Sequence, residues 1–214
     1  MIETSKSHII MMKDIFYELL RSYTNNNSLI QEFWIEIETH YTSPGRHYHT
    51  LQHLENIFKE LCECYDDISD WDTMLFSLFY HDIIYNALKK DNEEKSVDLA
   101  VKRLVKINYH SHRIDLCYQE IMATKSHTLI DNYDINLFTD ADISILGYTW
   151  EKYEQYYKQV RKEYNIYPDF LYKPGRKKVL QYFLNMENIF KTEFFRNKYE
   201  NTARNNIQKE LSLL

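Results

Sequence analysis

Histidines are concentrated in the segment PGRHYHTLQHL, residues 44–54, which holds three of the nine histidines in the chain. His49 and His53 are four residues apart, so on a helix they share one face with Cβ atoms about 5–6 Å apart. Two imidazoles on one face can bind one metal ion. His53 lies beside Leu54, at the edge of an apolar stripe. His49 is nearer the predicted helix start and could equally be a cap or a hydrogen-bond donor to a ligand.

An acidic residue interrupts the apolar segment MLFSLFYHDIIY, residues 74–85. A helix that is apolar on nearly every side is usually buried in a core. His81 and Asp82 lie in the middle of this segment, and an unpaired buried carboxylate is costly. A divalent cation would compensate Asp82, with His81 as a nitrogen ligand beside it. The alternative is an internal ion pair of Asp82 with a histidine or an arginine.

Two further aspartates occur in LFTDADISILG, residues 137–147. Asp140 and Asp142 lie among leucine, isoleucine and phenylalanine, so each requires a cation or a buried hydrogen-bond donor. Asp140 could be a ligand or could cap a helix. Asp142 is deeper in the apolar run and is the better ligand candidate. The choice between the two rests on this apolar context and on the match to the motif described next.

His53, then His81-Asp82, then Asp142 give the order H…HD…D, and the sequence resembles the HD superfamily of metal-dependent phosphohydrolases. Successive segments over residues 28–214 resemble the blocks of one bacterial subfamily of predicted HD hydrolases. These segments are PGRHYHTLQHLENI, LFYHDIIYN, NEEKS, ATKSH, DADISILG, VRKEY and ENTARNNIQKEL. The resemblance implies an all-helical HD-type core with these four residues as the metal ligands.

Two imidazoles and two carboxylates suit Mn²⁺, Fe²⁺, Co²⁺, Ni²⁺ or Zn²⁺ better than Mg²⁺. A single bound ion would lower the pKa of a water ligand and polarise a phosphorus centre. His81 and Asp82 would then serve the reaction as well as the metal. The expected reaction is hydrolysis of a small phosphorylated metabolite, for example a nucleotide.

Five residues near these segments could support such a reaction. Arg46 and Lys125 could neutralise the substrate phosphate, bidentately in the case of arginine. Tyr85 and Glu93 or Glu94 could line the pocket or orient the ligands. The alternatives are that the two basic residues are surface charges and that the glutamates favour a helix N-terminus.

Two other functions are compatible with the pattern. Some HD proteins hold two metals, and a minority of these are di-iron oxygenases. His49, His127 and one of His110 or His112 could complete such a site. The second alternative is a non-catalytic sensor that binds a nucleotide or a metal without turnover.

The elements that must position these residues are helices, because only three glycines and three prolines punctuate 214 residues. Pro44-Gly45 and Pro174-Gly175 predict two breaks. We expect one all-α domain over residues 1–214, in which residues 1–27 form an N-terminal helical cap. Helices are predicted over residues 10–22, 28–41, 48–65, 74–85, 92–108, 112–125, 148–165, 176–190 and 193–212.

The composition excludes several classes of protein. A formal net charge of -6 argues against nucleic-acid polymers and anionic membranes as partners. Three cysteines without a CxxC pair argue against a disulfide framework and a zinc-thiolate site. No apolar run reaches the ~18 residues of a membrane span. These features predict a cytoplasmic protein with reduced thiols, and they leave its oligomeric state open.

Overall fold

The computed structural model describes the backbone of residues 2–214 and the side chains from residue 9 onwards. Over these residues the chain forms ten α-helices and two short 3₁₀-helices, with no β-strand. The predicted all-α bundle is therefore confirmed. Met1, the first residue of the predicted N-terminal cap, lies outside the described residues.

The helices follow one another through the chain with short connections. In chain order they are α1 (Ile2–Arg21), α2 (Asn27–Tyr41), α3 (Leu51–Glu63), α4 (Trp71–Tyr80), α5 (Asn92–Lys106), α6 (Ser111–Ala123), α7 (Tyr133–Asp142), α8 (Trp150–Glu163), α9 (Asp169–Asn185) and α10 (Glu193–Leu213). The 3₁₀-helices span Tyr65–Asp67 and Ser144–Gly147.

Side-chain caps fix the starts of three helices that carry or support the site. The side chains of Asn26, Asp70 and Asn132 accept hydrogen bonds from backbone N–H groups in the first turns of α2, α4 and α7. Such caps satisfy N–H groups that have no partner within the helix. The local sequence therefore determines where these helices begin.

The predicted break at Pro44-Gly45 lies between α2 and α3, and Gly45 adopts φ +96°. That conformation favours glycine, which has no Cβ to clash with the backbone. The predicted break at Pro174-Gly175 is wrong, because Pro174 lies inside α9. Proline removes the hydrogen bond to the carbonyl four residues earlier. That carbonyl belongs to Phe170, which is 74% exposed, so water can replace the lost donor.

Helix α4 forms the centre of the core. All its residues from Thr73 to Tyr80 are buried, as the apolar segment predicted. It packs against α3, α5, α6 and α7, while α1 covers it on a further side. The helix ends at Tyr80 rather than at the predicted residue 85, and the next turn exposes Asp82 to the other ligand candidates.

The C-terminal helix α10 packs closely against the 3₁₀-helix that follows α7. The side-chain amide of Asn206 donates to the carbonyl oxygens of Leu146 and Tyr148, at 2.9 and 2.8 Å. A Cβ added at Gly147 would lie 2.4 Å from the Cβ of Tyr199. Glycine is therefore required here for the close approach of two backbone segments, and this contact fixes the chain just after Asp142.

We predict opposite effects for alanine at two glycines. Gly147→Ala should lower the free energy of unfolding by about 1–3 kcal/mol, because its Cβ overlaps a packed side chain. Gly175→Ala, whose Cβ would meet no atom within 4 Å, should raise it by about 0.5–1 kcal/mol, the helix preference for alanine over glycine. Urea unfolding measures both, and equal destabilisation of the two variants would contradict this packing.

Candidate metal centre

Helix α3 and the turn after α4 bring three candidate ligands together. His53 is in the first turn of α3, His81 is the C-cap residue directly after α4, and Asp82 follows it. One ligand atom from each of these three residues lies within 4.8 Å of the other two. His53 and His81 are almost completely buried, at 3% and 1% exposure. A group of this composition could hold a metal ion.

Asp142, the last residue of α7, lies against the same group. Its Oδ1 is 3.1 Å from Nε2 of His53 and 3.6 Å from Nε2 of His81. The structure therefore brings together all four residues of the H…HD…D pattern. We refer to His53, His81, Asp82 and Asp142 as the ligand cluster.

Asp140 lies elsewhere, since side chains two residues apart on a helix point in different directions. Its carboxylate accepts hydrogen bonds from the backbone N–H groups of Lys191 and Thr192, at 2.9 and 2.7 Å. It also accepts one from the Thr192 hydroxyl and lies 3.4 Å from Nζ of Lys191. Asp140 thus neither caps α7 nor joins the ligand cluster, but anchors the start of α10.

The residues of the ligand cluster direct hydrogen-bond acceptor atoms toward one another. Nδ1 of His81 is 3.0 Å from the carbonyl oxygen of Leu78 and donates to it. In a neutral ring this leaves a lone pair on Nε2, which lies only 3.3 Å from Nε2 of His53. Two carboxylates approach the same nitrogens. Such an arrangement requires protons or a cation between the acceptors, so the ligand cluster could hold a metal ion.

The pKa values of His81, Asp82 and Asp142 are shifted because their carboxylates and imidazoles lie so close together. Burial lowers the pKa of His81, but Asp82 and Asp142 outweigh it and raise the pKa to about 9. Burial opposes ionisation of both aspartates, yet the neighbouring histidines hold their pKa values below the ordinary range. Without a metal, the two carboxylates therefore draw a proton onto an imidazole.

His49 lies beside the ligand cluster in a fixed orientation. Its Nδ1 is 2.7 Å from Oε2 of Glu163, and the Tyr85 hydroxyl donates to the same oxygen at 3.0 Å. The Tyr85 ring also stacks on the imidazole, with centroids 4.2 Å apart. Nε2 of His49 is consequently directed toward Asp82, 3.9 Å from its Oδ2. His49 is thus placed as a neighbour of the ligands, and Tyr85 helps to orient it.

Glu163 is the functional residue that the sequence did not single out. Its Oε1 accepts the backbone N–H groups of His47, Tyr48 and His49, at 2.7, 2.7 and 3.0 Å. Burial raises its pKa, but His49 and these N–H groups lower it overall to about 2. The only sequence signal was its place in the block VRKEY. One carboxylate thus fixes the loop that leads into α3.

Arg46 contributes to the framework of the site. Its guanidinium donates to the carbonyl oxygens of His49, Asp82 and Ile83, at 3.0, 2.8 and 2.7 Å. It also lies over the ring of Tyr41, 4.8 Å from the centroid. These bonds take up both terminal nitrogens of the guanidinium, and its contact with a substrate phosphate stays a prediction. Arg46 joins the loop before α3 to the turn that carries Asp82.

Lys125 and the two glutamates of α5 lie at the rim of the site. Lys125 is exposed, with Nζ bonded to the Glu94 carboxylate and to the carbonyl oxygen of Lys90. Glu93 and Glu94 are in the first turn of α5, where acidic residues favour the helix. Burial raises the pKa of Glu93, and Asp82 adds to this effect. Of the two glutamates, Glu93 is therefore the one whose pKa is affected by the charge of Asp82.

His127 is close to the ligand cluster, whereas His110 and His112 are not. Nε2 of His127 is 3.6 Å from Oδ2 of Asp142, and the backbone of His127 is left-handed, with φ +51°. Burial and then the nearby Lys191 lower the pKa of His127 to about 4. His110 and His112 are exposed at the start of α6 and stack on each other. Of the three, only His127 is placed to contact a ligand.

A cavity of about 510 Å³ opens beside the ligand cluster. Asp142, His49 and His127 line its inner part, and Lys125 and Lys178 also contribute to its walls. We refer to this space as the site cavity. Its volume is within the range of about 300–1,000 Å³ that is typical of small-molecule pockets.

No protein-family model, curated protein or solved structure matches this chain. The resemblance to HD phosphohydrolases therefore stays a prediction. Among the described helices, none combines the length and the apolar character needed to cross a membrane.

We predict that Glu163→Gln destabilises the protein by about 2–4 kcal/mol at pH 7, because an amide cannot replace a buried carboxylate that binds three N–H groups and a histidine. The folded pKa is about 2 and the ordinary value is 4.5. The contribution is thus fully present above pH ~4.5 and is lost as the pH falls toward 2.

Urea unfolding at pH 7, 5 and 3.5 should therefore show the difference between wild type and Glu163→Gln shrinking at the lowest pH. Glu154→Gln is the matched control on α8, since that side chain is 38% exposed. A constant difference at all three pH values would contradict the assigned role.

Proposed function

We propose that the protein is an HD-type, metal-dependent phosphohydrolase that acts on a small phosphate ester, such as a nucleotide. The observation that supports this proposal is the convergence of two imidazole nitrogens and two carboxylates from three separate helical segments, with one of the carboxylates, that of Asp142, at the wall of a cavity. Replacing buried charged groups by apolar side chains is often neutral or stabilising, so the presence of these four acceptors favours a functional role over a structural one.

His53, His81, Asp82 and Asp142 would hold the metal ion, of the Mn, Fe, Co, Ni or Zn type. When bound, such an ion lowers the pKa of a water ligand and polarises a phosphoryl oxygen. The chain contributes the fixed orientation of the ligands. The hydrogen bond from His81 Nδ1 to Leu78 directs the opposite nitrogen inward, as is usual for histidines that bind metals.

His49 would handle a proton during hydrolysis. Glu163 and Tyr85 hold its Nδ1 side, so that Nε2 is the atom directed toward Asp82 and the ligand cluster. Burial lowers the pKa of His49, but Asp82 and Glu163 raise it overall. A positioned, protonated imidazole can donate its proton to the departing oxygen of an ester.

The basic side chains of the site cavity would attract the substrate phosphate. Arg46 donates hydrogen bonds to backbone carbonyl oxygens, and Lys125 forms an ion pair with Glu94. Lys178, on α9, lines the same cavity and is exposed. Because Glu94 offsets the charge of Lys125, Lys178 is the side chain that gives the entrance a local positive charge in a chain of net charge -6.

One observation favours the di-iron oxygenase as a second candidate. His127 is 3.6 Å from Asp142 and has a strained backbone, which is common at functional sites. A second ion would need further ligands, and the exposed His110 and His112 do not supply them. The phosphohydrolase therefore remains the better supported function.

We predict that the purified protein, loaded in turn with each of the five metals, hydrolyses at least one member of a panel of phosphomonoesters, diesters and nucleotides, with release of inorganic phosphate from a monoester and of an alcohol and a monoester from a diester. Asp82→Ala should reduce the rate at least about 100-fold, because a metal ligand is lost. Asp98→Ala, an exposed aspartate on α5, is the matched control and should leave the rate unchanged.

Three results would contradict this function. Equal rates in wild type and Asp82→Ala would mean that the activity is not that of this site. Thermal stabilisation by nucleotides without any product would indicate the sensor. Two irons per chain with consumption of oxygen would indicate the oxygenase.

A further inference from the structure

A second cavity lies between α8 and α9, next to the site cavity. It has a volume of about 370 Å³, and its walls are mainly apolar or aromatic. The side chains that form these walls include Val160, Tyr164, Tyr167, Leu171, Tyr172 and Val179. We refer to this space as the ring cavity. Sequence analysis did not indicate it, because the helix that forms one wall was predicted to begin only at residue 176.

We propose that the ring cavity is a binding subsite for a planar, uncharged aromatic or heteroaromatic ring carried by the substrate. This inference rests on the proposed phosphohydrolase function for the phosphate end. It states which chemical group lies at the end of the substrate remote from the phosphate, because the ligand cluster does not determine that group.

The first argument is continuity. Tyr164 and Val179 line both the ring cavity and the site cavity. The site cavity in turn reaches Asp142 and His127. A ring in the ring cavity can therefore be joined to a phosphate at the ligand cluster within one small molecule.

The second argument is the chemistry of the walls. The ring of Tyr164 lies 6.3 Å from that of Tyr167 and 5.9 Å from that of Tyr172, between centroids. Aromatic faces of this kind bind planar rings by stacking or edge contacts. Aliphatic chains would gain area but not these oriented contacts.

The third argument concerns charge. Arg176 is the only residue with a charged side chain among those that line the ring cavity in the described part of the chain. Its guanidinium binds both carboxylate oxygens of Glu210, at 2.7 and 2.9 Å. The pair is neutral as a whole, so the cavity offers no unpaired charge to an ionic group. An uncharged ring fits this environment better than a second phosphate or a carboxylate.

Gly175 allows a direct test, because it lines the ring cavity from inside α9. A Cβ at this position would meet no atom within 4 Å. Gly175→Leu should therefore introduce a side chain at the wall of the ring cavity from a position where the Cβ meets no neighbour, and leucine is favoured over glycine in a helix. Lys177→Leu, two residues along the same helix, lies outside both cavities and is the matched control.

The experiment compares three phosphate esters. Adenosine monophosphate carries a nucleobase, phenyl phosphate carries an aryl ring, and glycerol phosphate carries no ring. Gly175→Leu should lower kcat/KM at least about tenfold for the ring-bearing substrate that the wild type prefers, as expected for loss of one stacking contact. It should leave kcat/KM for glycerol phosphate unchanged. Whether adenosine monophosphate or phenyl phosphate loses more distinguishes a nucleobase from an aryl ring.

Equal losses for all three esters, or no loss for either ring-bearing ester, would overturn the proposal. A binding measurement separates this failure from that of the hydrolase. Adenosine and phenol, which carry no phosphate, should bind the wild type more tightly than Gly175→Leu in calorimetric titrations. Such binding without turnover of any ester would keep the ring subsite and reject the hydrolase. Absence of binding of both rings, together with no preference for ring-bearing esters, would reject the subsite.

Discussion

The site depends on one electrostatic constraint, which is that the carboxylates of Asp82 and Asp142 approach two buried imidazoles whose nitrogens are themselves acceptors. In an apolar core this arrangement is stable only with a compensating positive charge. Helices α3, α4 and α7 carry these groups on different parts of the chain, so their packing sets the distances. Either a proton on His81 or a bound cation can supply the charge, and the geometry of the donors suits the cation.

The ligand cluster also depends on loops, and two charged residues that are buried or half-buried hold these loops in place. Glu163 accepts three consecutive N–H groups of the loop before α3, and Arg46 donates to three carbonyl oxygens, two of them just after α4. Loop backbone that would otherwise need water is thereby paired with protein groups. Glu163 and Arg46 carry opposite charges, and each forms hydrogen bonds with the backbone of the loop before α3. These bonds hold the loop in place, so that a loop rather than a helix can orient His49.

Sequence reasoning reached the parts of this structure that depend on local pattern. Apolar periodicity located α3 and the buried α4, and apolar context preferred Asp142 to Asp140, as the geometry does. It did not reach interactions between distant segments. Glu163 acts on N–H groups more than a hundred residues away in the chain, and nothing local distinguishes it from a surface glutamate. The break predicted at Pro174 does not occur, because the lost hydrogen bond matters little where the helix is exposed. The local sequence does not show that exposure.

Metal content per chain, measured by elemental analysis after loading with Mn²⁺, Fe²⁺, Co²⁺, Ni²⁺ or Zn²⁺ and removal of free ions, tests the central claim most directly. The proteins to compare are wild type, His53→Ala, Asp142→Ala and the exposed control His112→Ala, each checked for helical content by circular dichroism. The account predicts one tightly bound ion in wild type and His112→Ala, and none in folded His53→Ala or Asp142→Ala. A folded wild type that retains none of the five metals would contradict it and would mean that a proton on His81 compensates the carboxylates.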